Sequence, residues 1–273
     1  MTDPDALTVG TTAIGPFRQR WQESGDGPRV LLLHGIYAGA SSYEWRRLAP
    51  LLVDAGRQVR TPDLLGFGDS DHPDLEFSPD VVLEAVRTLL ADAAPATVVA
   101  SSLTGAYALR AVADGAPCER LVLITPTGLG GAQAQPSGVL GRLAYDVGRH
   151  TPMGDALVRG LSSRPSIRWF LDHQTYTTRT ADDDEVEQSR RMARRRNGKH
   201  SQLAFVFNRL ALPVDPAHVR QVAPTVIWAD GQGFTDPADA TRWADAGAVV
   251  EHRGCGLPQV EEPESLLDVL APG

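Results

Sequence analysis

A serine stands where this chain could present a hydroxyl for nucleophilic chemistry. Val98-Val99-Ala100-Ser101-Ser102-Leu103-Thr104-Gly105 is an apolar run followed at once by small residues and a helical pattern. On such a strand-to-helix bend Ser102 would expose its Oγ, with the Leu103 N–H beside it, which is the logic of the nucleophile elbow G-x-S-x-G. Both glycines of that spacing are replaced here, by Ala100 and Thr104. The bland alternative is a serine that only caps the helix after it. A second turn, His34-Gly35-Ile36-Tyr37-Ala38-Gly39, follows the apolar run Val30 to Leu33. Its bare backbone can aim an N–H at a developing oxyanion.

Such groups need a scaffold that brings strand ends together. Val30-Leu31-Leu32-Leu33 is continuous in its apolar character, as suits a strand buried on both faces of a parallel sheet. Gln58 to Thr61, Thr97 to Ala100, Leu121 to Thr125, Thr225 to Ala229 and Ala248 to His252 repeat the pattern, mostly with helical periodicity between them. This alternation predicts an α/β fold with an open, mostly parallel sheet, and ligands in such sheets bind beyond the carboxyl ends of the strands. Leu7 to Glu23 reads as an edge hairpin or a pair of strands. About 100 residues separate Thr125 from Thr225, too many for a structureless loop, so a helical insertion is expected. The expected boundaries are a core of residues 1–130 and 210–273 and a helical cap of residues 131–209. Within that cap, Asp182 to Glu185 followed by Arg190, Arg191 and Arg194 to Arg196 reads as a solvated helix whose charges suit its dipole.

The chain has 273 residues, 26 Lys and Arg against 34 Asp and Glu, a formal charge of -8. Such a balance disfavours capture of a nucleic-acid backbone. No window approaches the roughly 18 apolar residues of a membrane span, and Met1 to Gly10 has neither the basic nor the apolar part of a secretion signal, so a cytoplasmic location without membrane attachment is expected. Cys118 and Cys255 are isolated thiols with no spacing that signals a disulfide framework, and no metal or cofactor is expected.

His34-Gly35, Pro62-Asp63-Leu64-Leu65-Gly66-Phe67-Gly68-Asp69-Ser70 and the bend at Ser102 together resemble the α/β-hydrolase superfamily over Gly27 to Pro263, in the branch with a helical lid. The resemblance implies Ser102 as nucleophile and the backbone N–H groups of Ile36 and Leu103 as oxyanion donors. It also implies that His34 braces its loop and that Asp63 and Asp69 hold theirs. Two positions depart from the family pattern. W-G-x-x-D is Trp228-Ala229-Asp230-Gly231-Gln232, with Gln232 at the acid, and G-H-x-P is Cys255-Gly256-Leu257-Pro258, with Gly256 at the base. Without a base within about 2.6 to 3.2 Å a seryl hydroxyl is a poor nucleophile. Loss of triad members leaves about 10³ to 10⁴ over water.

Possible substitutes for the base are His252, backed by Asp230 or Asp236, and His173 or His200 from the cap. Tyr37 and Tyr43 with Trp169, Phe170, Tyr176, Phe205 and Phe207 supply aromatic surface for an apolar pocket. The expected substrate contacts are Tyr37, Trp169, Phe170, His173, Tyr176 and His200, beside a catalytic set of Ser102, Ile36, Leu103 and Gln232. The expected activity is a non-hydrolytic step on a largely apolar, carbonyl-bearing small molecule, such as elimination, isomerisation or cyclisation. An esterase with a displaced histidine and a binding protein without chemistry are the alternatives. The oligomeric state is left open.

Overall fold

The continuous apolar runs become the middle of one eight-stranded sheet in a computed structural model that describes residues 7–130, 137–231, 233 and 236–271. The strands are β1 (Thr8–Ile14), β2 (Phe17–Ser24), β3 (Arg29–Leu33), β4 (Gln58–Pro62), β5 (Thr97–Ser101), β6 (Arg120–Ile124), β7 (Thr225–Ala229) and β8 (Val249–Arg253). Their spatial order is β1-β2-β4-β3-β5-β6-β7-β8. β1 and β2 form the expected antiparallel hairpin at one edge, β2 runs antiparallel to β4, and all later pairs are parallel. Leu33 lies opposite Ala100 and Ser101 opposite Ile124, so the carboxyl ends of β3, β5 and β6 meet.

Alternate residues of the central strands point to opposite faces, as the two-residue period of a strand requires. Leu31, Leu33, Val98, Leu123 and Trp228 pack on one side with Tyr107 and Trp243, and Val30, Leu32, Val99, Val122 and Ile227 pack on the other with Trp45, Leu48 and Leu52. The first helices are α1 (Leu48–Asp54), α2 (Pro79–Ala93) and α3 (Leu103–Ala113). Ser78 caps α2 by accepting the Val81 N–H, and Pro79 occupies the first turn, where a missing N–H costs nothing.

The long interval between β6 and β7 holds α4 (Val139–His150), α5 (Pro152–Leu161), α6 (Arg164–Phe170), α7 (Asp183–Ala193), α8 (Lys199–Val206) and α9 (Pro216–Val222). After β7 come α10 (Pro237–Asp245), α11 (Pro258–Glu261) and α12 (Leu267–Leu270). The acidic run opens α7 through a capping box, in which Asp182 accepts the Glu185 N–H at 2.8 Å and Glu185 accepts the Asp182 N–H at 2.9 Å. Asp183 and Asp184 are exposed as expected, but Glu185 is not a solvated charge. It is buried and paired with both Arg46 and Arg179, because α7 lies against the loop after β3. Among the described residues no helix is long and apolar enough to cross a membrane.

The inserted helices are pinned to the loop after β4. Ser201 donates to the Gly66 carbonyl at 2.6 Å, Arg195 pairs with Asp69, and His200 Nε2 lies 3.3 Å from Asp74 Oδ1. Burial holds His200 below the ordinary histidine range, against the opposing charge of Asp74, and burial does the same to His72, which sits at the same junction. Both rings are therefore favoured neutral in the folded chain. Their contribution to stability is full above the unfolded value of about 6.5 and is lost as pH falls through their depressed folded values. Urea midpoints should therefore fall between pH 7.5 and pH 5.5, and His200→Gln should shrink that fall. An equal fall in the variant would contradict this.

Candidate active site

Ser102 adopts φ 52° and ψ -129°, a conformation that side chains disfavour and that persists only where the surroundings fix it. Here its N–H donates to the Ile124 carbonyl on β6 at 2.8 Å, and its carbonyl accepts the Gly105 N–H at 3.0 Å. The two positions where the elbow lacks glycine are accommodated. Ala100 is fully buried in β5, and the buried Thr104 hydroxyl donates to the His34 carbonyl at 2.7 Å, tying the elbow to the end of β3.

The turn after β3 passes directly beside the elbow. A Cβ at Gly35 would lie 3.4 Å from Ser102 Cβ and 3.5 Å from Ser101 Oγ. Ile36 follows, and Leu103 opens α3, where the first N–H groups of a helix have no partner within it. His34 braces this turn: its Nε2 accepts the Leu64 N–H at 3.1 Å and its Nδ1 lies 2.7 Å from the Gly35 carbonyl. Asp63 accepts the N–H groups of Ser42 at 2.6 Å and Asp69 at 2.8 Å, so it holds loops as expected.

A cavity of about 350 Å³ opens over the elbow. Ser102, Ile36 and Leu103 form part of its wall, together with Tyr37, Phe170 and Tyr176 from the expected contact set, and with Tyr43 and Phe205. Trp169, His173 and His200 are not brought to it. Trp169 is 56% exposed and stacks on His173 with 5.5 Å between ring centroids, while His200 faces Asp74 at the junction with the β4 loop. Phe207 does not line it either. Gln232 lies outside the described residues.

The position that the resemblance assigns to the base has no room for a side chain. A Cβ at Gly256 would lie 1.9 Å from the carbonyl oxygen of Thr175. Glu261 fixes this approach, since its Oε1 accepts the N–H groups of Gly256 and Leu257, each at 2.8 Å, and its Oε2 accepts those of Thr177 at 2.9 Å and Thr178 at 2.6 Å. Burial works against its charge, yet these donors, Thr178 foremost, hold the carboxyl below the usual carboxylate range. All seven histidines are among the described residues, and none lines the cavity. His252 does meet Asp230, with Nδ1 2.9 Å from Oδ1, but the two side chains are 55% and 47% exposed and lie outside the cavity wall.

Sequence reasoning missed the acidic side of the cavity. Glu44 is 4% exposed and lines it. Its Oε2 accepts the Gly35 N–H at 3.0 Å and the Tyr37 hydroxyl at 3.4 Å, and its Oε1 accepts Gln259 Nε2 at 2.7 Å. The same Nε2 lies 3.3 Å from Ser101 Oγ. Burial, reinforced by the Glu44 charge, raises the Tyr37 phenol well above its ordinary range, so it remains a donor. Arg46, Glu185, Gln188 and Ser189 complete a polar wall. One signal pointed there: Glu44 stands between two aromatic residues, Tyr43 and Trp45.

The sequence matches the family model described as "Alpha/beta hydrolase family" over residues 30–269, most of the chain. It belongs to the α/β-hydrolase family. Within that family it is 33% identical over 125 residues to an uncharacterised protein of Mycobacterium tuberculosis, a match spanning 45% of this chain and 36% of that protein. It is 37% identical over 91 residues to bifunctional epoxide hydrolase 2 of Sus scrofa, 32% of this chain and 16% of that one. The α/β-hydrolase chain thus covers about a third or less of the length of these curated relatives. Among solved structures, a serine hydrolase involved in carbazole degradation superposes with a TM-score of 0.74 at 21% identity, covering 96% of each chain. An epoxide hydrolase superposes at 0.71 and 22% identity, again over 96% of each. At these identities the likeness establishes the fold.

The packing at Gly256 is open to test. Gly256→Ala should lower stability by about 1 to 3 kcal/mol, the cost of forcing atoms into a filled space. A melting temperature equal to that of the wild type would contradict the close approach to Thr175.

Proposed function

We propose that this α/β-hydrolase is an enzyme that binds a largely apolar, carbonyl-bearing small molecule and carries out a non-hydrolytic step such as elimination, isomerisation or cyclisation. The observation that carries this reading is the filled space at Gly256 together with a Ser102 cavity that has no histidine in its wall. A hydroxyl without a base stays protonated and acts as a hydrogen-bond donor. In this scheme the substrate carbonyl oxygen lies against the N–H groups of Ile36 and Leu103, and Ser102 donates to it. Gln232, where the family carries an acid, serves as a neutral polar contact. Donors fixed in advance at such an oxygen contribute about 10² to 10³ in rate each where one has been removed elsewhere.

The substrate would be held by Tyr37, Phe170 and Tyr176, with residues 131–209 acting as a cap over a core of residues 1–130 and 210–273. The aromatic and aliphatic side of this wall, which includes Ile36, Leu103, Phe170, Leu171, Phe205 and Val206, supports an apolar ligand. A displaced relay of His252 and Asp230 finds less support, because that pair is half exposed and stands away from the cavity.

A fluorophosphonate probe, which phosphonylates activated serines with loss of fluoride, discriminates between the readings. The expected outcome is labelling at least about 10³-fold slower than for a serine hydrolase with an intact relay, in line with what triad loss costs. Rapid labelling that disappears in Ser102→Ala would overturn the non-hydrolytic reading.

A further inference from the structure

Two carboxylates line the cavity, and they differ in how their charge is met. Glu185 is neutralised by Arg46 and Arg179. Glu44 has no ion-pair partner among the described residues and is held by neutral donors only, namely Gly35 N–H, the Tyr37 hydroxyl and Gln259 Nε2. The orientation of Gln259 is informative. Its amide nitrogen faces Glu44, while its own Oε1 is buried with no partner. The amide thus leaves its oxygen unmatched while its nitrogen donates to the carboxylate. Glu44 Oε2 is 3.0 Å from the nitrogen of the residue whose Cβ position would lie 3.4 Å from Ser102 Cβ, so the anion is one residue's breadth from the elbow. Oε2 takes two donors and Oε1 one, which leaves Oε1 with an acceptor position unused.

We propose that Glu44 is the general base of this site and removes a proton from carbon next to the substrate carbonyl. The step rests on the non-hydrolytic reading above and names the proton transfer it requires. The C–H bond breaks, its electron pair becomes part of an enolate, and the proton passes to Glu44 Oε1. The enolate oxygen lies against the Ile36 and Leu103 N–H groups. Return of the proton from Glu44 to a different carbon completes an isomerisation, and departure of a group from the adjacent carbon, with its bonding electron pair and taking the proton from Glu44, completes an elimination. A buried carboxylate that has no ion-pair partner among the described residues, lines the cavity and keeps one acceptor position open is placed to take such a proton. The site is therefore assigned to carbon acids activated by a carbonyl or an equivalent acceptor.

The probe is 5-nitrobenzisoxazole, whose one isoxazole-ring C–H is removed by a base as the N–O bond breaks, leaving a nitrile and placing the N–O electron pair on a phenolate oxygen. The full chain should open this ring with a kcat/KM at least about 10²-fold above the second-order constant of acetate, the lower end of what a positioned base contributes. Glu44→Gln should lose about 10²-fold with its melting temperature kept, and exposed Glu264→Gln should change nothing. A wild-type rate no higher than that of acetate, or a Glu44→Gln variant that keeps the rate, overturns the proposal. If Glu44→Gln does not fold, the shorter Glu44→Asp must lower the rate at least about tenfold while folded, and an unchanged rate overturns it equally. Ring opening involves no acyl transfer, so the two readings fail separately. Absent ring opening with an unlabelled Ser102 removes the base alone, whereas rapid fluorophosphonate labelling with ring opening retained removes the non-hydrolytic reading alone.

Discussion

The bend at Ser102 can exist only because neighbouring strands complete its hydrogen bonds. A non-glycine residue at φ 52° and ψ -129° is held by the Ile124 carbonyl on one side and, through Thr104, by the His34 carbonyl on the other. Those partners are available because β5 lies between β3 and β6 with Leu33 opposite Ala100 and Ser101 opposite Ile124. Sheet register, core packing and site geometry are therefore one constraint. A slip of one residue in β5 would exchange its buried faces and also carry the hydroxyl away from the cavity.

A second constraint acts from the last loop. Glu261 gathers four backbone N–H groups from two segments, Gly256-Leu257 and Thr177-Thr178, and so draws the inserted helical region onto the loop after β8. The Thr175 carbonyl fills the space where a side chain at position 256 would start. Gln259 links Glu44 to Ser101 beside the elbow. On the proposed reading these features belong together: the space for an imidazole is closed, and a carboxylate faces the cavity in its place.

Much of the fold was legible because it is written in local pattern. Val30 to Leu33 suited a strand buried on both faces, and Leu7 to Glu23 alternated as a hairpin or a pair of strands does. The interval from Thr125 to Thr225 was too long for a structureless loop and helical in its pattern. The elbow was legible despite Ala100 and Thr104, because a strand followed by small residues and a helix is a stronger signal than either glycine. The cavity wall was legible only in part. Tyr37, Phe170 and Tyr176 reach it, but Trp169 and His173 stack on each other outside and His200 turns to Asp74, since composition does not reveal which way a helix rolls. Glu44 escaped notice and Glu185 read as solvated because burial of a carboxylate depends on donors remote in the chain, Gln259 for one and Arg46 for the other. Pattern within a segment carries no record of those partners.

The central claim is that the hydroxyl of Ser102 has no imidazole to take its proton. Boron-11 NMR of phenylboronic acid in the presence of the full chain tests it directly, because an activated serine converts trigonal boron to a tetrahedral adduct stabilised by the adjacent imidazolium. The account predicts that the boron stays trigonal. A tetrahedral signal that is present in the wild type and absent in Ser102→Ala would contradict it.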